Sequence, residues 1–182
     1  MIEYYTLMHK GSEKVYRDNF FMNFGNILTV LIVFVSKVPE LILDKSISSE
    51  LSSLISSSND TDFPELSLKV QNLISGQCDY LLIRLDNSKI NIFREGNLYA
   101  NIIKNGELKM LANGEFSLEN DDYIVCGTSA FYKNLTNPAI ISDAITSVSC
   151  EEWMDNMSFR IADQTGFSGS NVTAVTFIVR NG

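Results

Sequence analysis

The sequence contains one histidine and three cysteines among 182 residues, and these shortages exclude several kinds of catalytic and metal-binding site. Because His9 is the only histidine, a Ser-His-Asp or Cys-His mechanism would depend on that one side chain. We interpret His9, which stands between a predicted strand and a glycine turn, as a solvated or turn-capping residue. The sequence also lacks a Gly-rich phosphate loop, a Gly-x-Ser-x-Gly elbow and cysteine pairs at zinc-binding spacing. The common motifs of nucleotide binding, serine hydrolysis and structural zinc are therefore absent.

Basic residues are also few. The sequence has 14 Lys and Arg against 22 Asp and Glu, which gives a formal net charge of −8. A protein that binds nucleic acid needs a basic surface, and the cations here are scattered along the chain, so we expect no nucleic-acid partner. The negative charge also repels anionic surfaces, and we expect no membrane partner.

The start of the sequence shows no secretion signal. Residues 1–10 include Glu3 and lack the apolar segment that a signal peptide requires. Cys78, Cys126 and Cys150 are far apart and stand mostly among apolar residues. We therefore predict reduced core thiols and a cytoplasmic protein.

The longest apolar run is Ile27–Val35. It is rich in β-branched residues and carries no charge, which predicts an interior strand that is covered on both faces. It is far shorter than the roughly 20 apolar residues that a membrane-spanning helix requires. We interpret the aromatic residues Phe20, Phe34, Phe93 and Trp153 as core side chains rather than as a ligand site.

The rest of the chain combines strand and helix patterns without an internal repeat or a linker, which predicts a single domain over residues 1–182. Alternation and turn residues predict strands at Glu3–Met8, Asp18–Phe24, Tyr80–Leu85, Lys89–Arg94, Leu98–Ile103, Glu107–Ala112, Asp121–Gly127 and Asn171–Arg180. The four strands between residues 80 and 112 are predicted to form one antiparallel meander. Three- and four-residue spacing of apolar side chains predicts helices over Leu41–Ile55 and Asp62–Gly76, and one or two helices in Asn137–Met157.

Four stretches of the sequence, together with the order of the elements, resemble one protein family. The stretches are Asp18–Phe21, Asn91–Tyr99, Asp122–Ser129 and Ser170–Val175. Over nearly its whole length the chain resembles the PPM-type (2C class) metal-dependent serine/threonine protein phosphatases, and most of all the short bacterial members that regulate stress and sporulation sigma factors. The resemblance implies an α+β fold in the form of a four-layer αββα sandwich, with two antiparallel sheets flanked by helical pairs.

The resemblance also identifies where the metal ligands of the family would stand. Members hold two Mg²⁺ or Mn²⁺ ions through aspartates at four positions, because hard cations prefer carboxylate oxygens. The matched positions hold Asp18, Val35–Ser36, Ser129–Ala130 and Ser170–Asn171. Only Asp18 keeps a carboxylate, and Val35 stands where an aspartate would bridge both metals. A single carboxylate with hydroxyls and a valine is a poor donor set for two divalent ions.

The phosphate-binding arginine of the family is also missing from its usual place. Lys14 or Glu13 occupies that position, and Arg17 could substitute only from a different direction. Simpler interpretations of the remaining positions stay open. Asp18 is also compatible with an exposed turn, the serines with turn residues that satisfy backbone groups, and Asn171 with a cap at the start of the last strand.

Three functions follow from these patterns. The leading hypothesis is a catalytically inactive PPM-type domain, without cofactor or catalytic residues, that binds a phosphoprotein, a kinase, a phosphatase or its own copies as a regulatory module. The second is a divergent active phosphatase that uses Mn²⁺ or Mg²⁺ and takes its ligands from other carboxylates. The candidates for those ligands are Asp121, Asp122, Asp143, Asp155 and Asp163. The third is an unrelated β-sandwich assembly protein.

Overall fold

The computed structural model describes residues 1–25, 27–35, 42–86 and 88–180. The chain divides into two compact units. The terminal unit consists of Met1–Lys14, Tyr99–Leu111 and Leu118–Gly182, and the central unit of Val15–Leu98 and Ala112–Ser117. This division describes packing within each unit, and the single domain stays a prediction.

The terminal unit is built on a sheet in which, over the described residues, five strands follow the order β1-β10-β9-β6-β7. The strands are β1 (Ile2–His9), β10 (Val172–Val179), β9 (Tyr123–Thr128), β6 (Leu98–Lys104) and β7 (Glu107–Met110). The first strand of the chain thus pairs antiparallel with the last, from Ile2 opposite Val179 to His9 opposite Val172. Both chain ends are therefore tied to one sheet by backbone hydrogen bonds.

Three helices belong to the terminal unit in the described part of the chain: α3 (Ser129–Tyr132), α4 (Asn137–Thr146) and α5 (Cys150–Thr165). The sequence predicted one or two helices in Asn137–Met157, and the structure has two because each has its own cap. The Thr136 hydroxyl accepts from Ala139 N at 3.4 Å, and the Ser149 hydroxyl accepts from Glu152 N at 3.1 Å. No helix among the described residues is long and apolar enough to span a membrane.

The central unit contains the second sheet, whose five strands within the described ranges run in the order β2-β3-β4-β5-β8. They are β2 (Asp18–Phe24), β3 (Leu28–Phe34), β4 (Asp79–Leu85), β5 (Lys89–Glu95) and β8 (Gly114–Ser117). Helices α1 (Lys45–Ser56) and α2 (Phe63–Ile74), joined through a 3₁₀ turn at Ser58–Asp60, pack on this sheet through a shared apolar cluster. The predicted α+β class, with two antiparallel sheets that each carry a helical pair, is confirmed.

Strand β3 is the long apolar run predicted from the sequence. Its side chains from Val30 to Val33 are fully buried, and it pairs with β2 on one side and β4 on the other. The prediction of an interior strand covered on both faces is therefore confirmed, although β4 rather than β3 occupies the middle position of the sheet.

The first helix begins later than its apolar spacing predicts. Asp44 is the N-cap, and its carboxylate accepts from Ser46 N at 2.7 Å, so α1 starts at Lys45. Ile42 lies outside the helix and is 54% exposed. Leu41, the predicted first residue, lies outside the described residues. Spacing alone did not reveal the cap that fixes this boundary.

The predicted meander is wrong at one turn. Glu95–Asn97 does not close a hairpin between β5 and β6, because β5 pairs with β8 while β6 pairs with β7 in the other sheet. The turn at Asn105–Gly106 does form the predicted hairpin between β6 and β7. Strand β8, Gly114–Ser117, was missed because four residues that begin with glycine give little strand signal.

The turn between β5 and β6 depends on a glycine. Gly96 has φ +85, and a Cβ there would overlap the Asp79 carboxylate. Gly106 provides a matched control, because it has φ +74 and no described heavy atom stands within 4 Å of where its Cβ would be. We expect Gly106→Ala to cost about 1 kcal/mol of backbone strain and Gly96→Ala about 1–2 kcal/mol more. Urea unfolding of both variants measures the difference, and equal losses would show that the Asp79 contact contributes nothing.

The three cysteines are free and buried, as the sequence predicted. Burial raises the pKa of the Cys150 thiol to about 12. Such a thiol is protonated at neutral pH and behaves as an apolar core side chain.

Candidate metal centre

In the central unit, the one retained carboxylate lies at an end of the sheet. Asp18 is the first residue of β2 and is 2% exposed. It stands directly opposite Phe34 on β3, and Phe34 stands opposite Asp79 on β4. Residues opposite each other in neighbouring strands project to the same face of a sheet. The three side chains therefore form a row across this end of the sheet.

Val35, which the sequence resemblance assigns to the metal-bridging position, belongs to the apolar core. It is 5% exposed and lies in the cluster with Leu31 and Val33 that packs under α1 and α2. Side chains along a strand alternate between faces, so Phe34 shares the face of Asp18 and Val35 lies on the helix side. Ser36, the second residue of this matched pair, lies outside the described residues.

Asp79 is a buried carboxylate that the sequence interpretation did not single out. Its Oδ2 atom accepts from Asn97 N at 3.0 Å and from the Asn97 side chain at 3.4 Å. Two strand spacings, about 10 Å in all, separate its Cα from that of Asp18, and Phe34 lies between the two in the strand register. An acidic residue at the start of a strand beside the central apolar strand was the only sequence signal for this position.

The two predicted phosphate-binding residues have different surroundings. The guanidinium carbon of Arg17 lies 5.3 Å from the centroid of the Phe34 ring, within cation–π range. Lys14 is exposed in the terminal unit. A role for either residue in binding phosphate stays a prediction.

In the terminal unit, the other two matched pairs lie at one end of the sheet. Ser129 and Ala130 begin α3 directly after β9, and Ser170 and Asn171 directly precede β10. Because β9 and β10 are antiparallel neighbours, the end of one strand lies beside the start of the other. The structure thus brings these two predicted positions together. Ser129 and Ser170 are exposed, Ala130 is half-buried against the apolar cluster of this unit, and Asn171 is buried.

Asn171 has the capping role proposed as the simpler interpretation. Its side-chain amide donates to the carbonyl of Lys10 at 2.6 Å, which ties the start of β10 to the end of β1. His9, the last residue of β1, caps the turn that follows. Its Nδ1 accepts from Gly11 N at 3.0 Å, and its ring stacks on Phe167 with 4.2 Å between centroids. The prediction of a turn-capping histidine agrees with this geometry.

The five alternative carboxylate ligands all belong to the terminal unit, and three of them form ion pairs with Arg or Lys side chains. The pairs and their shortest distances are Asp121–Arg180 at 3.1 Å, Asp122–Lys104 at 3.1 Å and Asp143–Arg160 at 2.7 Å. Asp155 and Asp163 are exposed on α5. Across the described residues, no group of three or more His, Cys, Asp or Glu side chains is arranged to hold a metal ion. The donor set described here does not fit a two-metal centre.

Comparison with known proteins identifies the fold. No protein-family profile and no curated protein sequence match the chain. The structure of the photosystem II phosphatase PBCP is similar with a TM-score of 0.77 at 14% identity, and 99% of each chain is covered. The catalytic domain of the serine/threonine protein phosphatase PstP in complex with two manganese ions gives 0.73 at 10% identity, also over 99% of each chain.

A third similar structure is described as a PP2C phosphatase domain. The PP2C phosphatase domain of SpoIIE from Bacillus subtilis, solved with a fragment of its regulatory domain, gives a TM-score of 0.76 at 11% identity. The match covers 98% of this chain and 63% of that chain. Similarity at this level of sequence identity is a similarity of fold. It excludes the alternative of an unrelated β-sandwich. The chain has the fold of the PPM-type (2C class) protein phosphatases.

Proposed function

We propose that this chain is a PPM-type domain that has lost phosphatase chemistry and acts as a protein-binding or regulatory module. The observation that carries the proposal is the position of Val35. A buried valine on the helix side of the sheet stands where the resemblance requires a carboxylate that bridges two metals. The partner we propose is a protein, in the classes of phosphoprotein, kinase or phosphatase.

The chemistry of the other matched positions supports the same conclusion. A metal-dependent phosphatase uses its ions to generate a nucleophilic water and to stabilise charge on the phosphoryl oxygens. Those ions require several carboxylates, and the matched positions supply Asp18, two exposed serines and the buried Val35. Asn171, whose side-chain amide binds the Lys10 carbonyl, already has a structural role.

One observation favours the second candidate, a divergent active phosphatase. Asp18 and Asp79 are both buried on the same face of the central sheet, and buried carboxylates often mark functional sites. A metal site built from these two side chains would require Asp79 to exchange its contacts with Asn97 for the ion.

Calorimetric titration with Mn²⁺, together with assays on para-nitrophenyl phosphate and a phosphothreonine peptide, tests the proposal. We expect no turnover above the protein-free rate, because too few carboxylates are available to hold the ions. Asp18→Asn and Asp79→Asn are the informative variants, and Asp60→Asn, at an exposed position in the 3₁₀ turn, is the matched control. Turnover in Mn²⁺ that is lost in both informative variants and kept in the control would establish the active phosphatase instead.

A further inference from the structure

The outer face of the α4–α5 helix pair exposes large apolar side chains. Ile145 is 67% exposed, Val148 82% and Phe159 73%. Phe159 lies two residues from Met157 and from Ile161, both of which are buried. At about 100° per residue, this spacing places Phe159 on the side of α5 opposite its buried stripe. These three side chains therefore contribute little to the core of the terminal unit.

Polar contacts join the two helices into one surface. The Asp143 carboxylate accepts two hydrogen bonds from the Arg160 guanidinium, each 2.7 Å long. The Asn156 amide donates to the Ser147 hydroxyl at 3.2 Å. The bidentate pair is the stronger of these contacts and fixes the separation of the helices.

This surface is strongly acidic. Residues 137–165 contain five carboxylates and one guanidinium, a formal net charge of −4 out of −8 for the whole chain. The one guanidinium, on Arg160, is paired with Asp143. Asp155 and Asp163 stand one helical turn before and after Phe159, where residues i and i±4 are neighbours. An exposed aromatic ring is thus flanked by two carboxylates, while the adjoining Arg160 is paired with Asp143.

The negative charge of α5 also affects a side chain on β1. The pKa of Tyr5 on β1 is raised chiefly by the charge of Glu151, with further contributions from burial and from the charge of Asp155. Glu151 and Asp155 are both exposed on α5. The carboxylates of α5 therefore make the Tyr5 phenol harder to ionise.

We propose that the α4–α5 outer face, defined by Ile145, Val148, Glu152, Asp155, Phe159 and Asp163, docks a basic segment of a partner protein that carries an apolar anchor. Charge complementarity selects this occupant. A second copy of the chain would bring the three carboxylates of one face against the three of another, and anionic lipid or nucleic acid would be repelled in the same way. Exposed apolar side chains bordered by charged residues are typical of docking sites. The inference rests on the proposed protein-binding function and identifies the surface that performs it.

The test is the affinity for a labelled amphipathic peptide of lysine and leucine about four helical turns long, measured by fluorescence anisotropy. A peptide of glutamate and leucine with the same pattern is the charge control. We expect Asp155→Asn with Phe159→Ser to weaken binding of the basic peptide about tenfold or more, because the anchor and one flanking charge are lost together. The glutamate peptide is expected not to bind.

The matched control is Glu50→Gln with Leu68→Ser, which removes one exposed carboxylate and one exposed apolar side chain from the other helical pair. We expect this variant to bind the basic peptide within about twofold of the parent, and circular dichroism checks that both variants fold. Equal weakening by the two variants, or no weakening by either, would overturn the proposal. A dimer in sedimentation that Phe159→Ser abolishes would assign the face to a second copy instead. Phosphatase turnover would contradict only the proposed loss of catalysis, since the peptide assay reports on binding alone.

Discussion

Replacing Val35 with aspartate is expected to lower the free energy of unfolding by about 3–5 kcal/mol, the sum of lost apolar burial and the cost of burying a carboxyl group. Val35 is 5% exposed and belongs to the apolar cluster beneath α1 and α2. The substitution introduces the residue type that the sequence resemblance implies at this position, but it places the carboxyl on the side of the sheet away from Asp18. We therefore expect destabilisation and no gain in Mn²⁺ binding.

The loss of folding stability caused by Val35→Asp should grow as pH rises. Burial among apolar side chains raises the pKa of a carboxyl group above the value of about 3.9 that it has in the unfolded chain. The folded variant then binds more protons than the unfolded one, so its stability falls as pH rises above 3.9 and until the folded-state pKa is passed. Urea unfolding at pH 4 and at pH 7, compared with the parent protein, measures this difference.

Val35→Thr is the matched control, because threonine has nearly the shape of valine and carries no charge. We expect it to cost about 1–2 kcal/mol with the same pH dependence as the parent. A stable Val35→Asp variant that gains Mn²⁺ affinity would contradict our assignment of this residue to the core. It would also favour a metal site at this end of the central sheet.

Trp153→Ala is expected to destabilise the terminal unit by about 3–5 kcal/mol. Trp153 is fully buried, packs edge-on against Tyr123 with 5.6 Å between ring centroids, and donates from its indole to the Ile140 carbonyl at 3.2 Å. The substitution leaves a cavity and removes the indole hydrogen bond to a carbonyl inside α4. Since the protein has no other tryptophan, circular dichroism rather than intrinsic fluorescence follows the unfolding.

Trp153→Phe separates the two causes, because phenylalanine retains much of the buried volume and lacks the indole N–H. We expect a loss of about 1–2 kcal/mol, from the lost indole hydrogen bond and the somewhat smaller buried volume, because the Ile140 carbonyl keeps its place in the hydrogen bonding of α4. A loss below about 1 kcal/mol for Trp153→Ala would show that α5 packs far more loosely on the sheet than the structure indicates.

Much of the secondary structure could be predicted from local patterns. The apolar run that forms β3 and the helical spacing of α2 each bury one face or both, so their residue types repeat at the period of the element. The boundary of α1 could not be predicted in this way, because a single hydrogen bond from Ser46 N to Asp44 fixes it. Strand β8 was missed because its pairing with β5 is long-range.

The candidate site was predictable in part. The sequence identified Asp18 as the one carboxylate at the matched positions, and its role as a ligand stays a prediction. The structure places Asp18 at the start of β2 and the pairs at Ser129 and Ser170 at the ends of β9 and β10. The sequence did not reveal Asp79, since a lone aspartate at the start of a strand carries no distinctive spacing. It also gave no reason to expect that Phe34 separates the two carboxylates.

The sequence by itself determined the residue types at the matched positions, and so the shortage of carboxylates that leads us to propose an inactive domain. Only the tertiary structure decided which strands share a sheet, and that β5 and β6 part at Gly96. It also decided the face to which each side chain projects. The register of β2 against β3 places Phe34 opposite Asp18 and directs Val35 into the core. Strand register depends on contacts between residues far apart in sequence, and for that reason local composition did not reveal it.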